Sequence, residues 1–341
     1  MTVPALGPKQ AWYVACASRD LGRQPLARTV LGQPMVLFRG SDDRPTALLD
    51  RCAHRNVPLS VGKLIDGRIE CRYHGWQYGT GGRCEKIPGL CDGFDRIARN
   101  VPHFATIEES GLVWVYTSPD EAPSTRPFAL AAPGAGESEV RRVVTVESPL
   151  HAALENALDV PHTAVLHRGL FRGAREPRRI KARVSRTPEG VQAEYLGEPR
   201  PEGLAAKLLA PAGGVVTHTD RFILPSIAQV EYRLGDDVHF LVNSICTPVD
   251  EYLTRIHAVI RFRTRLPGWL LKPLLTPIAN RIFRQDAEIL RAQSSSLRKF
   301  GGEHYASTAI DVLGLQIARL LRHPAGDEGP EDWSREIDLE V

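Results

Sequence analysis

Several features that mark common classes of protein are scarce in this sequence. Its 341 residues include only six cysteines, too few for a disulfide framework in a chain of this length. Its charges nearly cancel, with 43 Lys and Arg against 40 Asp and Glu, and a net charge of +3 does not indicate a nucleic-acid binder. The remaining composition, 43% hydrophobic and 24% charged, is typical of a globular protein.

Long hydrophobic runs are also lacking. Residues 1–21 have neither a basic start nor a continuous apolar stretch, so they do not form a secretory signal. The most apolar helical segment, residues 266–283, is interrupted by three prolines and cannot supply the roughly 20 apolar residues of a membrane span. We therefore expect a cytoplasmic protein with no membrane span and no nucleic-acid partner.

The pattern of apolar residues changes along the chain. Up to about residue 118, short apolar runs alternate with turn signals, which predicts strands. Residues 118–139 are rich in Pro, Gly, Ser and Ala, and beyond them helical patterns near 150–167 and 277–299 flank a β-rich middle. We predict an all-β domain over 1–120, a linker over 121–140 and an α+β domain over 141–341.

Two short boxes in the first domain each combine one cysteine with one histidine. They are Cys52-Ala-His54 and Cys71-Arg-Tyr-His74, with sixteen residues between them. A [2Fe–2S] centre with two thiolates on one iron and two imidazoles on the other requires this mixture. A structural zinc site is the alternative, although zinc fingers usually pair Cys with Cys and His with His.

The residues around these boxes suit a cluster. Gly75 permits a tight turn, and Tyr73, Trp76 and Tyr78 can shield the site and donate hydrogen bonds near sulfur. The remaining cysteines downstream, Cys84 and Cys91, are expected to be reduced packing residues.

A second group of polar residues lies in the predicted helix near 150–167. Asn156, Asp159 and His162 follow one another at intervals of three and would share one sector of a helix. His162 and His167 would diverge by about 140° on a straight helix, so they can bind one ion only if the helix ends or distorts between them.

These two groups resemble the Rieske non-heme iron oxygenases. The pattern C-x-H, a spacer, then C-x-x-H-G-W is matched in full, and N-x-x-D-x-x-H-x-x-x-x-H follows in the expected order. The resemblance implies a [2Fe–2S] cluster held by Cys52, His54, Cys71 and His74. It also implies Fe²⁺ held by His162 and His167. High-potential Rieske proteins carry cysteines that bridge the two loops at the positions of Val57 and Tyr73. By this comparison the cluster here has a lower reduction potential, which suits it to accept electrons from a reductase or ferredoxin.

Two histidines with one carboxylate leave positions on Fe²⁺ open for O₂, so an acid is expected elsewhere in the chain. Asp286 is the best candidate, because it lies in the apolar stripe of a helix that Thr276 and Pro277 would open. Ala279, Ile282, Phe283, Ile289, Leu290 and Gln293 are the other members of that stripe. Glu288 projects about 200° away and is expected to be solvated; it or an earlier acid is the alternative ligand.

The resemblance also gives roles to the other two polar residues. It implies that Asp159 links His74 of one subunit to His162 of its neighbour in a head-to-tail homotrimer. The plain alternative is that Asp159 only orients its own His162. Asn156 is expected beside the iron, in contact with substrate or water, with a structural cap as the alternative.

By this resemblance, an all-β Rieske domain precedes a helix-grip α+β catalytic domain. The expected reaction is O₂-dependent monooxygenation, by hydroxylation or O-demethylation, of a small molecule. Apolar residues near His218, such as Val216 and Phe222, suggest that this molecule is hydrophobic. NAD(P)H would act through a separate reductase, because a nucleotide-binding glycine-rich loop is missing. Aromatic dihydroxylation, desaturation and a Rieske electron carrier with a non-catalytic ligand-binding domain are alternatives, as is a lipid-binding module with structural zinc.

Charge is unevenly distributed in the second half. Eight basic residues against one acid lie between Arg168 and Arg186, whereas residues 327–341 carry seven acids and one Arg. The basic stretch could dock an acidic electron-transfer partner, pair with a neighbour's acidic tail or form a solvated loop.

Overall fold

The computed structural model describes residues 6–90, 97–168, 179–198, 216–235, 238–264, 268–324 and 333–340. The chain divides into two compact units, one spanning Pro8–Ala131 and the other Ala132–Val341 together with Met1–Gly7. The described part of the first unit is built from strands and short turns, and the second combines a large sheet with helices. The predicted α+β class is confirmed. No helix in the described ranges is long and apolar enough to cross a membrane.

Three small antiparallel sheets form the first unit. Their strand orders are β1-β11-β10, β2-β3-β4-β9 and β5-β6-β7-β8. The strands are β1 (Trp12–Ala17), β2 (Leu26–Val30), β3 (Gln33–Arg39), β4 (Pro45–Leu49), β5 (Lys63–Ile65), β6 (Arg68–Glu70), β7 (Gln77–Tyr78), β8 (Cys84–Lys86), β9 (His103–Phe104), β10 (Thr106–Glu109) and β11 (Leu112–Tyr116). The short apolar runs that predict strands include those beginning at Met35, Ala47 and Leu112, and these three fall within β3, β4 and β11. One of its hydrophobic cores contains Cys52 and Cys71, so both cysteine boxes are anchored in packed structure.

An eight-stranded antiparallel sheet is the frame of the second unit. Its order is β12-β18-β17-β16-β15-β14-β13-β19. The strands are β12 (Ser138–Val146), β13 (Arg179–Thr187), β14 (Gly190–Leu196), β15 (Val216–Ile223), β16 (Ile227–Leu234), β17 (Val238–Asp250), β18 (Leu253–Arg263) and β19 (Ser334–Glu340). Alternate side chains of each strand point to opposite faces. The face that packs against helices is called the inner face below.

Four helices are described in the second unit: α1 (Leu150–Leu158), α2 (His162–Leu166), α3 (Gly268–Phe300) and α4 (Gly314–Arg322). The helices α1 and α4 pack on the inner face and share one core with it. A second core, around Leu290, joins α3 to α1 and β12. The large sheet with a long helix fits the helix-grip architecture that the resemblance implies.

The predicted start of the long helix is wrong. It begins at Gly268, eight residues before Thr276, and both Pro273 and Pro277 lie inside it. Each proline removes only one backbone hydrogen bond, and the buried Leu271 packs the first turns against the protein. The predicted apolar stripe is also narrower than expected, because Ile289 is 48% exposed while Leu290 is buried.

From Arg179 onward, the basic stretch is a strand rather than a solvated loop. Residues 179–186 belong to β13, which pairs along its length with the acidic strand β19 of the same chain. Three cross-strand ion pairs accompany the ladder, Arg179–Glu340, Lys181–Glu336 and Arg183–Glu336. Opposite charges from two distant segments of one chain therefore face each other across the ladder, at exposed positions. Residues 169–178 of the stretch lie outside the described part.

Candidate iron centres

The two cysteine boxes adopt the same backbone hydrogen-bonding pattern. In the first loop, the Cys52 N–H donates to the Val57 carbonyl and the Asn56 N–H donates to the Cys52 carbonyl, at 2.9 and 3.0 Å. In the second loop, Cys71 makes the equivalent bonds with Trp76 and Gly75, at 2.8 and 3.0 Å. Asn56 and Gly75 both have positive φ, a conformation open to Gly and tolerated by Asn. The chain thus presents two loops of the same hydrogen-bonding pattern.

Sulfur and imidazole lie on different sides of these loops. Cys52 and Cys71 are 1% and 2% exposed, whereas His54 is half-buried and His74 is exposed, with the two imidazole rings 4.4 Å apart. Burial raises the pKa of the Cys71 thiol, and the neighbouring Cys52 thiol raises it further. A [2Fe–2S] cluster with a thiolate-bound inner iron and an imidazole-bound outer iron fits this arrangement.

The zinc alternative requires four ligand atoms around one point. Within the described ranges, the only group of three or more His, Cys, Asp or Glu ligands that converges in this way is elsewhere, at His162, His167 and Asp286. The two boxes are therefore arranged for a group larger than a single ion.

The aromatic residues near the boxes have three different roles. The Tyr78 hydroxyl lies 3.2 Å from the Cys52 sulfur and accepts a hydrogen bond from the Ala53 N–H. Trp76 stacks on His54 at 4.8 Å with nearly parallel rings. Tyr73 packs against His74, with ring centroids 3.9 Å apart, while 63% of its own surface is exposed. Cys84 is buried in the adjoining core, and Cys91 lies outside the described residues.

The second group of predicted ligands lies where a helix is broken. The helical pattern predicted near 150–167 is interrupted: α1 ends at Leu158, Asp159 has an extended backbone with φ −92° and ψ 109°, and α2 begins at His162. Pro161 favours this break because it disfavours helical backbone at the residue before it. Asn156, Asp159 and His162 therefore do not share one helix face, since Asp159 lies between two helices.

The break and a second helix end bring three ligand atoms together. His167 follows the last residue of α2 with φ −103° and ψ 29°, so its ring turns back toward His162. The two Nε2 atoms are 3.3 Å apart, and Asp286 Oδ1 from α3 lies 3.7 and 3.1 Å from them. Ligands at about 2.1 Å from one metal ion and at right angles to each other are about 3.0 Å apart.

The burial and hydrogen bonding of these atoms are compatible with a metal site. Asp286 Oδ1 is buried and lies close to the Nε2 atoms of both imidazoles. Burial raises the pKa of Asp286 and outweighs the lowering by His167 and His162. A buried carboxylate without a compensating partner is costly, and a divalent cation supplies that partner. The residues present thus fit a two-histidine, one-carboxylate iron site.

Neighbouring residues fix the orientation of these ligands. His167 Nδ1 donates to Gln285 Oε1 at 3.0 Å, which leaves Nε2 to bind the metal. The backbone N–H of His162 donates to Asp159 Oδ2, which also lies 3.3 Å from His162 Nδ1. Burial lowers the pKa of His162, but Asp159 and Asp286 raise it by more. Asn156 contacts the Asp286 carboxylate by a hydrogen bond, and Glu288 is exposed.

Sequence reasoning missed two features. Nothing in the sequence marks Gln285 as part of the site except its position next to Asp286. A buried ion cluster joins His218 to Glu198 and Asp220, at 2.6 Å from Nδ1 and 2.9 Å from Nε2. Alternation along β15 places His218 and Asp220 on one face, but the third member, Glu198, is far away in sequence. Phe222, one of the apolar residues that the sequence analysis related to a hydrophobic substrate, is fully buried in the core.

Comparison with known proteins relates both centres to described families. Residues 11–104 match the Rieske [2Fe-2S] domain, and residues 146–325 match the vanillate O-demethylase oxygenase C-terminal domain. Chlorophyllide a oxygenase of Oryza sativa subsp. japonica is 35% identical over 92% of this chain and 56% of its own length. The oxygenase component of dicamba O-demethylase from Stenotrophomonas maltophilia is 34% identical over 47% of this chain and 48% of its own length. These matches span about half the length of each relative.

Solved structures share the fold. Dicamba monooxygenase bound to dicamba has a TM-score of 0.74 at 22% identity, over 92% of this chain and 96% of that one. NdmA of Pseudomonas putida CBB5 with caffeine has a TM-score of 0.74 at 23% identity, over 92% and 90% of the two chains. A Rieske domain implies a [2Fe–2S] cluster, and the oxygenase family implies non-heme iron. Because the second family match covers just over half of the chain, this protein belongs to the Rieske non-heme iron oxygenases.

Proposed function

We propose that this protein is an O₂-dependent monooxygenase that hydroxylates or O-demethylates a hydrophobic small organic substrate. The observation that carries the proposal is the convergence of His162, His167 and Asp286, downstream of two matched Cys-His loops. Cys52, His54, Cys71 and His74 would hold one [2Fe–2S] cluster per subunit, and the three converging residues would hold one Fe²⁺. When bound, the cluster supplies single electrons and Fe²⁺ activates O₂.

Monooxygenation consumes substrate, O₂, two electrons and two protons and yields the oxidised product and water. We propose that the electrons come from NAD(P)H through a separate reductase or ferredoxin. The support is the exposed His74, which gives the cluster an edge that a protein partner can approach. Two relatives are also described as an oxygenase component and an oxygenase subunit, wording that implies further components for those proteins.

A homotrimer is the assembly that we propose. In it, Asp159 would join His74 of a neighbouring copy to His162 of its own. The observations in support are that His74 is exposed and that Asp159, its side chain 30% exposed, adjoins His162. Asp159 would then hold both imidazoles in a hydrogen-bonded path for electrons. We also propose a reducing, cytoplasmic setting, since all five described cysteines are free.

The test is a product screen with purified protein, a surrogate reductase, NADH and isotopically labelled O₂. Aryl methyl ethers, steroids and alkaloid-like compounds are offered separately. The expected result is an alcohol carrying one labelled oxygen, or a phenol together with formaldehyde from a methyl ether, and no product from Asp286→Ala. A diol carrying both oxygen atoms, or a desaturated product, would replace the proposed reaction with one of the alternatives. Cluster reduction without any O₂-dependent product would indicate an electron carrier.

A further inference from the structure

The last turns of α3 and the whole of α4 expose basic side chains but no acidic ones. Within the described residues 289–323, five Lys and Arg side chains are exposed, namely Arg291, Arg298, Lys299, Arg319 and Arg322. The same residues include two acids, Glu303 and Asp311, and both are half-buried. The exposed charge of this segment is therefore of one sign, although the charges of the whole chain nearly cancel.

Large apolar side chains project from the same segment. Phe300, the last residue of α3, is 65% exposed, and Tyr305 in the following loop is also exposed. Leu315 lies on the outward side of α4 with Arg319 and Arg322, because these residues follow one another at intervals of four and three. The inward side of α4 packs in the core through Ile317, Leu320 and Leu321.

Three contacts bring these exposed side chains together. Glu303 Oε2 lies 3.9 Å from Arg322 Nη2, which joins the loop after α3 to the end of α4. His151 Nε2 lies 3.0 Å from the Gly314 carbonyl, and the His151 ring is 6.1 Å from that of Tyr305. The loop and both ends of α4 therefore form one surface beside the end of α3. We call six of its residues, Lys299, Phe300, Tyr305, Leu315, Arg319 and Arg322, the α3–α4 surface.

The mixture of basic and apolar side chains favours a lipid bilayer over a protein as the partner. The core of a protein interface is depleted of charged residues. Here the apolar side chains have basic neighbours: Lys299 Nζ lies 5.5 Å from the Phe300 ring centroid, and Arg319 follows Leu315 by one helical turn. At a bilayer surface such neighbours are compatible, because apolar side chains enter the acyl boundary while Lys and Arg stay among the headgroups.

We propose that the α3–α4 surface binds peripherally to an anionic lipid bilayer. Phe300 and Leu315 enter the boundary between headgroups and acyl chains, and Tyr305 lies at the interface with its hydroxyl toward water. The three basic side chains of the surface lie at the level of the lipid phosphates. The cytoplasmic leaflet of a membrane carries the negative charge that this requires. Neither metal centre takes part in this binding, so it is independent of the monooxygenase function.

The test is flotation of the full chain with phosphatidylcholine vesicles, with and without about 30% phosphatidylglycerol, at physiological ionic strength. We expect binding only to the vesicles that contain phosphatidylglycerol. The double variant Lys299→Ala, Arg319→Ala should bind about 20- to 30-fold more weakly, at about fivefold for each basic residue. Phe300→Ser should bind about tenfold more weakly, because it inserts less apolar surface.

Matched controls remove the same charge or apolar surface elsewhere. The double variant Arg19→Ala, Arg126→Ala lowers the net charge equally, at side chains of the first unit that are 73% and 81% exposed. Val143→Ser removes an exposed apolar side chain from β12. Both control variants should bind as the unmodified protein does. Circular dichroism and the visible absorption of the cluster are measured for every variant to exclude misfolding.

A lack of binding to both kinds of vesicle overturns the proposal, as does an equal loss of binding in the surface variants and the controls. Binding that Phe300→Ser leaves unchanged also overturns it, because attraction between charges would then be sufficient. If vesicles are not bound and Phe300→Ser instead dissociates an oligomer of this chain, the surface is an interface between copies. If a plant-type ferredoxin is bound in place of vesicles, the partner is an acidic protein. Both of these results overturn the proposal.

Discussion

The Nε2 atoms of His162 and His167 lie 3.3 Å apart, although a continuous helix would point these residues in different directions. Two interruptions make this contact possible, one at Asp159 before α2 and one at His167 after it. The contact between the two imidazoles depends on the shortness of α2, so a longer helix here would abolish the proposed metal site.

Removing the carboxylate from this group should empty the mononuclear site selectively. We expect Asp286→Ala to lose its single-site iron and all turnover, because two imidazoles alone leave the ion without charge compensation. The cluster should remain, since its ligands belong to the other unit. Total iron and acid-labile sulfide are measured together, and iron should fall to the amount that the sulfide accounts for.

Glu288→Ala is the matched control for that loss. Glu288 is two residues away on the same helix, and its side chain is exposed. Its removal should leave iron content and activity within error of the unmodified protein. Normal iron content in Asp286→Ala, or loss of iron in Glu288→Ala, would mean that Asp286 is not the carboxylate ligand.

Asp159→Asn separates electron transfer from metal binding. We expect both metals to be retained, because Asp159 contacts His162 without being one of the three converging ligands. Oxidation of the reduced cluster in a single turnover should slow by about 10- to 100-fold, the usual cost of losing a partner of a metal ligand. The readout is stopped-flow absorption of the cluster, with Asp338→Asn on the exposed edge of β19 as control. An unchanged rate of cluster oxidation in Asp159→Asn would mean that Asp159 does not link the two metal centres.

The hydroxyl of Tyr78 should tune the cluster. It lies 3.2 Å from the Cys52 sulfur, and hydrogen bonds to cluster sulfur are one determinant of reduction potential. Because such bonds stabilise the more negative reduced state, Tyr78→Phe should lower the potential. A redox titration followed by visible absorption measures the change, and Tyr73→Phe, at an exposed ring, should cause none.

Stability should depend on pH through the buried His218. Burial lowers its pKa, but Asp220 and Glu198 outweigh this effect and raise it to about 9 from 6.5. The folded state therefore binds the proton more tightly than the unfolded state, and this stabilisation is complete below pH 6.5 and is lost as the pH rises through 9. Its full size is about 3 kcal/mol.

Urea denaturation at pH 6.5 and 9.5 measures that loss. His218→Gln should be destabilised at pH 6.5 and should show a smaller difference between the two pH values. An equal pH dependence in the variant would mean that other groups cause it.

Close packing at Gly190 gives a test of stability alone. A Cβ at this position would collide with the backbone carbonyl of Phe222 in β15, whereas a Cβ at Gly81 would meet no atom within 4 Å. Gly190→Ala should lower the free energy of unfolding by about 1–3 kcal/mol. Gly81→Ala should be nearly neutral in the same urea titration.

The sequence predicted which residues come together at the two candidate centres better than it predicted the elements that carry them. The Cys-His boxes are local, with both ligands of each box in one short loop, so their spacing alone is informative. Asp286 was predictable because a carboxylate within an apolar stripe needs a partner. The start of α3 at Gly268 was not, because tertiary packing of Leu271 outweighs the local effect of two prolines.

Features that join distant segments were not predictable from one sequence. The His218 cluster draws Glu198 from the residues after β14 and Asp220 from β15, and no local spacing connects them. Likewise, the basic residues of β13 and the acids of β19 were recognised as charged, but their pairing depends on the order of strands in the sheet.

The pairing of β13 with β19 also bears on how the second unit folds. The two strands are about 150 residues apart in sequence, so closing the loop between them is slow and entropically costly. Until residues 334–340 are available, β13 presents unpaired backbone groups next to alternating buried and exposed side chains. Such an edge can recruit strands from other molecules. A polypeptide cut before residue 334 should therefore aggregate during expression, even though it retains all seven iron ligands proposed here.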